Sequence, residues 1–97
     1  MQGADEPRKV GAAQDQSRAG GADRASRAHA RAKATHERAA VLHTEAAELY
    51  EEHADTHRER GDANRANEAE TSARREHEKA AGQTRGAELE QERLAGR

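Results

Sequence analysis

Setting Ala25 at the first position of a seven-residue repeat orders the middle of the chain. Position a reads Ala25, Ala32, Ala39, Ala46 and His53, and position d reads Ala28, Thr35, Leu42, Leu49 and Thr56. Position e carries His29, His36, His43, Tyr50 and His57. Position g carries Arg24, Arg31, Arg38, Glu45, Glu52 and Glu59. A strict seven-residue repeat sustained this long predicts a left-handed coiled coil, because an unpaired amphipathic helix follows a 3.6-residue period.

Local propensity agrees with the repeat. Residues 22–60 contain no Gly and no Pro and are filled with Ala, Arg and Glu, the strongest helix formers. Gly61 followed by Asp62 reads as the end of one helix and the N-cap of the next. A second helix is expected over about 63–81, with Lys79 near its negative end and Gly82 closing it. Beyond it, 82–97 reads as a tail with a weak helical stretch at 87–95. Residues 1–21 hold Gly3, Pro7, Gly11, Gly20 and Gly21 without an apolar period, the pattern of a disordered tail. The predicted fold class is all-α: a long helix over about 22–60, a turn at Gly61–Asp62, and a helix over about 63–81 folding back as a helical hairpin.

The g stripe adds a second expectation. Three arginines are followed by three glutamates, and the positions pair off symmetrically about one centre. In an antiparallel coiled coil g faces g. Two copies would therefore set Arg24 on Glu59, Arg31 on Glu52 and Arg38 on Glu45 of the other. The accompanying layers put Leu42 on Ala39 and Leu49 on Ala32, large against small as close packing requires. His36 would approach His43 of the other copy. A single helix gains nothing from this order, since positive charge at its start and negative charge at its end oppose its own dipole. The stripe thus predicts an antiparallel homodimer with Arg24, Arg31, Arg38, Ala39, Leu42, Glu45, Leu49, Glu52 and Glu59 at the interface. An intrachain hairpin is the alternative: it brings Glu45 near Lys79, Glu59 near Arg65, and Ala66, Ala69, Ala73 and Ala80 towards the seam. The two are compatible, because a dimer of hairpins is a small four-helix bundle.

Composition narrows the function. Of the 32% of residues that are hydrophobic, all but Met1, Val10, Val41, Leu42, Leu49, Tyr50, Leu89 and Leu94 are alanine. That is too little large apolar surface for a compact globular monomer with its own core. No run of apolar residues is long enough to span a membrane, and MQGADEPRKV lacks the apolar region of a secretory signal, so the cytoplasm is the expected compartment. The lack of cysteine excludes disulfides and thiolate chemistry. At a net charge of −2, bulk attraction to nucleic acid is not expected. The basic stretch 24–38 has no aromatic residue for stacking and precedes an acidic one.

Residues 28–81, with phrases such as HERAAVLHTEAAELYEEHADTHRERGDANRA, resemble small uncharacterised Ala/His/Glu-rich helical proteins of high-GC actinobacteria. That resemblance implies a helical hairpin in the cytoplasm and no particular activity. The composition also resembles the hydrophilins, stress protectants that are Ala-, Gly- and Glu-rich and lack Cys and Trp.

Candidate chemistry is sparse. Histidine is the unusual residue, with six in the chain. His53 and His57 share the i, i+4 spacing that lets two imidazoles reach one metal, with Glu52 or a residue of a partner helix to complete the shell, but no HExxH motif or cysteine accompanies them, and no metal is expected. Ser17, Ser26 and Ser72 stand without a nearby His–Asp arrangement, and no glycine loop suits a phosphate. The sequence therefore predicts no enzyme, no cofactor and no small-molecule substrate. Its expected role is helical self-association, with stress protection as the alternative.

Overall fold

A computed structural model describes the backbone of residues 2–96 and the side chains of residues 20–96. The chain forms two helices, α1 (Gln2–Glu59) and α2 (Ala63–Ala95), packed against each other as an antiparallel hairpin. There is no strand among the described residues. The tail expected over 1–21 lies outside the residues whose side chains are described, except Gly20 and Gly21, which sit within α1.

The turn forms where the Gly–Asp pair predicts it. Gly61 adopts φ +79°, in the left-handed region that a side chain disfavours. Its N–H donates to the Arg58 carbonyl at 3.0 Å, and the Asp62 N–H donates to that of His57 at 2.8 Å. These two bonds satisfy carbonyls that the end of α1 would otherwise leave without partners. Asp62 then caps α2, its Oδ1 accepting from the Arg65 N–H at 3.0 Å. Three residues thus close one helix, reverse the chain and open the next.

Among the described residues every buried apolar side chain of the seam between the helices is alanine. Ala47 and Ala54 of α1 are buried against Ala66, Ala69, Ala73, Ala80 and Ala87 of α2. On α2 the inward positions 66, 69, 73, 76, 80, 83, 87, 90 and 94 alternate steps of three and four residues, a heptad of its own. On α1 they are the b and e positions of the repeat: Ala40, Ala47 and Ala54, with His29, His36, His43 and Tyr50. Among the described residues no large side chain is fully buried. In the alanine layers only methyl groups separate the backbones, so the helices approach closely there while burying little area.

Two expectations need correction. The second helix does not stop at Gly82, and 82–97 is not a weak tail: α2 runs through Gly82 and Gly86 to Ala95. A glycine inside a helix costs about 1 kcal/mol. Continued packing of Gln83, Ala87, Glu90 and Leu94 against α1 offsets it. In addition, Glu45 and Glu59 do not meet Lys79 and Arg65. Lys79 pairs with Glu76 at 3.2 Å and Arg65 with Asp62 at 3.4 Å, both within α2's own first-neighbour turns. The reason is rotational, since g lies on the side of α1 away from α2.

The alanine seam has a direct test. Ala47 is fully buried, and Ala47→Leu would insert three carbons between two backbones with no room to part. A loss of about 1–3 kcal/mol is expected, read as a thermal midpoint several degrees lower. An unchanged or higher midpoint would show that the helices are not held at alanine spacing.

Candidate functional site: a histidine ladder and an uncovered helix face

The e stripe of α1 meets a matching stripe of acceptors on α2. His29 Nδ1 lies 2.5 Å from Glu90 Oε2, His36 Nδ1 2.6 Å from Gln83 Oε1, and His43 Nδ1 2.6 Å from Glu76 Oε2. An ionised carboxylate and an amide oxygen only accept, so each imidazole donates from Nδ1. The histidines recur every seven residues upward along α1 and their acceptors every seven downward along α2, so one antiparallel register makes all three bonds. Tyr50 continues the stripe where Ala69 is the α2 residue at the same level.

Side pairs flank the ladder. His77 Nε2 lies 2.6 Å from Glu51 Oε1, and Arg58 pairs with Glu70. Glu90 also accepts from Arg93 at 2.7 Å and is only 8% exposed. No buried side-chain polar atom among the described residues lacks a partner. Gly86 gives the middle rung its space. A Cβ at that position would stand 2.9 Å from both Cε1 and Nδ1 of His36, nearer than such atoms pack.

The ladder also sets the acid–base behaviour of its carboxylates. The hydrogen bond from His43, aided by Lys79, holds the Glu76 carboxyl below the usual carboxylate range. The bond from His29 does the same for Glu90, working against partial desolvation and helped by the charge of Arg93.

The residues that the sequence assigned to an interface occupy a different part of α1. Arg24, Arg31, Arg38, Glu45, Glu52 and Glu59 are exposed, and none forms an ion pair with another described residue. Leu42 is 64% exposed, Leu49 and Val41 each 56%. Ala39, like Ala32 and Ala46, is half-buried at the edge of the seam. A shallow groove over Ala34, Glu37, Arg38, Val41 and Leu42 lies beside these leucines. Leu42 and Leu49 therefore lie outside the seam with α2, and Val41 borders a second groove that it shares with Ala87, Glu88 and Gln91 of α2.

The remaining candidates are dispersed. His53 is exposed, its ring edge-on to Tyr50 at a centroid distance of 6.4 Å, and His57 is half-buried beside the turn. Among the described residues no three potential metal ligands gather. No described helix is long and apolar enough to cross a membrane.

Glu76, Gln83, Glu90 and Gly86 were not identified as site residues from sequence. A signal was present: the acceptors share the seven-residue spacing of the histidines. It becomes visible only once α2 is continued past Gly82. No family model, curated protein or solved structure matches this chain.

Two measurements address the ladder. Gly86→Ala should destabilise the hairpin by about 1–3 kcal/mol through its clash with His36. In a His36→Ala background the same change should be neutral or stabilising, because alanine is the better helix former. Equal losses in both backgrounds would remove His36 from the argument. The second concerns pH. A carboxyl whose folded value is depressed contributes stability that is present above its unfolded value and lost as pH falls through the folded one. Helicity and thermal midpoint should therefore decline below about pH 4.5, and Glu76→Gln with Glu90→Gln should flatten that decline. An acid limb identical in the double variant would show that these carboxylates are not its source.

Proposed function

We propose that this chain is a non-enzymatic, cytoplasmic helical protein that works by self-association, its partner being a second copy of itself. The supporting observation is the uncovered face of α1. Leu42 and Leu49 are more than half exposed, in a molecule with very few large apolar residues, and beside them runs a stripe of charges that form no ion pair with another described residue. Water is a poor solvent for such a patch. A partner that covers the leucines and neutralises the stripe removes both costs.

A second copy fits this description because the stripe is its own complement. Each arginine has a glutamate at the mirrored position, so one sequence supplies both halves of every pair. Exposed ion pairs are worth only about 0.3–1 kcal/mol each. They select the partner and its direction, while the leucine–alanine layers supply the burial.

Arg31→Glu replaces attraction with repulsion at two symmetry-related pairs. It should weaken association roughly tenfold or more by sedimentation at low salt. Adding Glu52→Arg reverses both members and should restore it. A double variant that associates no better than the single one contradicts the pairing. The protectant reading has one observation in its favour, a mean hydropathy of −1.34. It differs in outcome, since a protectant gains helix on drying, whereas a self-associating chain gains it with concentration in water.

A further inference from the structure

We infer that the second copy docks antiparallel along α1 through its a and d positions, centred between Val41 and Leu42, so that two hairpins close into a four-helix assembly. This rests on the self-association proposed above and specifies its surface, direction and register.

The hairpin leaves the required surface open. With about 100° between successive residues, the a and d stripe lies roughly a quarter-turn round α1 from the b and e stripe that α2 covers. One helix can therefore take α2 on one side and another α1 on the next, the arrangement of neighbours within a four-helix bundle. The a alanines belong to both contacts. Ala25, Ala32, Ala39 and Ala46 are already half-buried by α2, and a second α1 would complete their burial.

Direction follows from what α2 has already taken. In a parallel pair the g residues of one helix face the e residues of the other. Here the e stripe is engaged with Glu90, Gln83 and Glu76, so the g charges would meet imidazoles that are already donating. In an antiparallel pair g faces g, and nothing in the hairpin competes.

Charge sets the register. The g stripe changes sign once, between Arg38 and Glu45, and the midpoint of that change is Val41–Leu42. Leu42, 64% exposed, and Leu49, 56% exposed, are the d residues that this surface leaves open, while the shallow groove over Ala34, Glu37, Arg38 and Val41 lies on the outer side of α1 and takes no part in the contact. Alignment about this point puts Arg38 on Glu45, Arg31 on Glu52 and Arg24 on Glu59, each pair occurring twice. Leu42 then meets Ala39 and Leu49 meets Ala32 of the other copy. The adjoining flank of α2 carries Arg65, Lys79 and Arg93, so apolar closure comes from α1 against α1.

The lack of cysteine allows a test with the full chain. Ala32→Cys and Leu49→Cys are prepared as separate proteins, and each is oxidised alone and mixed with the other. In the inferred register residue 32 of one copy lies opposite residue 49 of the other, within disulfide reach. Two copies of the same variant hold their cysteines about 25 Å apart along the axis. A cross-linked dimer is expected from the mixture and from neither variant alone. Cross-linking of each variant with itself would establish a parallel pair and overturn the inference. A chain that sediments as a dimer yet cross-links in no combination also overturns it, while leaving self-association standing. A chain that sediments as a monomer at all concentrations would overturn the functional proposal itself.

Discussion

The rest of this structure depends on a seam whose buried apolar side chains are all alanine. Alanine against alanine lets two helices lie close, and it favours the helical backbone on both sides. It also buries little apolar area per residue. Such a seam can hold a hairpin in place but is poor at choosing one. A slide by one heptad along α2 would again set alanine on alanine, because Ala66, Ala73, Ala80 and Ala87 repeat at that interval.

Polar layers supply the missing selectivity. Each rung joins a ring nitrogen to one particular oxygen at 2.5–2.6 Å. A slide of one heptad in one direction would set His43 against Ala69, and in the other would carry His29 past the end of α2 at Ala95, so each leaves a donor or an acceptor without its partner. Unsatisfied polar groups in a seam cost more than satisfied ones contribute. The ladder therefore acts chiefly against the wrong registers. Gly86 belongs to the same device, since the middle imidazole needs the space that a missing side chain leaves. The turn adds a local constraint through the positive φ of Gly61 and the cap from Asp62.

Most of the fold was legible in the sequence, and the least legible part was which face of α1 would meet α2. The turn is announced by a residue that tolerates positive φ followed by a capping carboxylate. The inward alanines 66, 69, 73 and 80 follow from their spacing. The face of α1 is ambiguous because alanine occupies a, at 25, 32, 39 and 46, and also b, at 40, 47 and 54. Hydrophobicity favours a and d, where the leucines are, yet the hairpin takes b and e. The choice is made by hydrogen bonds with the other helix, which a single-helix periodicity does not contain. The same cause hid the length of α2. Gly82 and Gly86 look like breakers until the rungs on either side of them are known. With the leucines outside the seam, apolar surface that could have stabilised the hairpin stays exposed to solvent.

The central claim is that histidine rungs and alanine layers form one continuous seam, extending past Gly82 to the end of α2. Residue-resolved amide hydrogen exchange at neutral pH tests it most directly. A continuous seam predicts that amides of 83–94 exchange as slowly as those of 66–80, within about tenfold, apart from fraying in the last turn. Slow exchange over 66–80 with near-unprotected amides from Gly82 onward would contradict it, and would end the seam where the glycines begin.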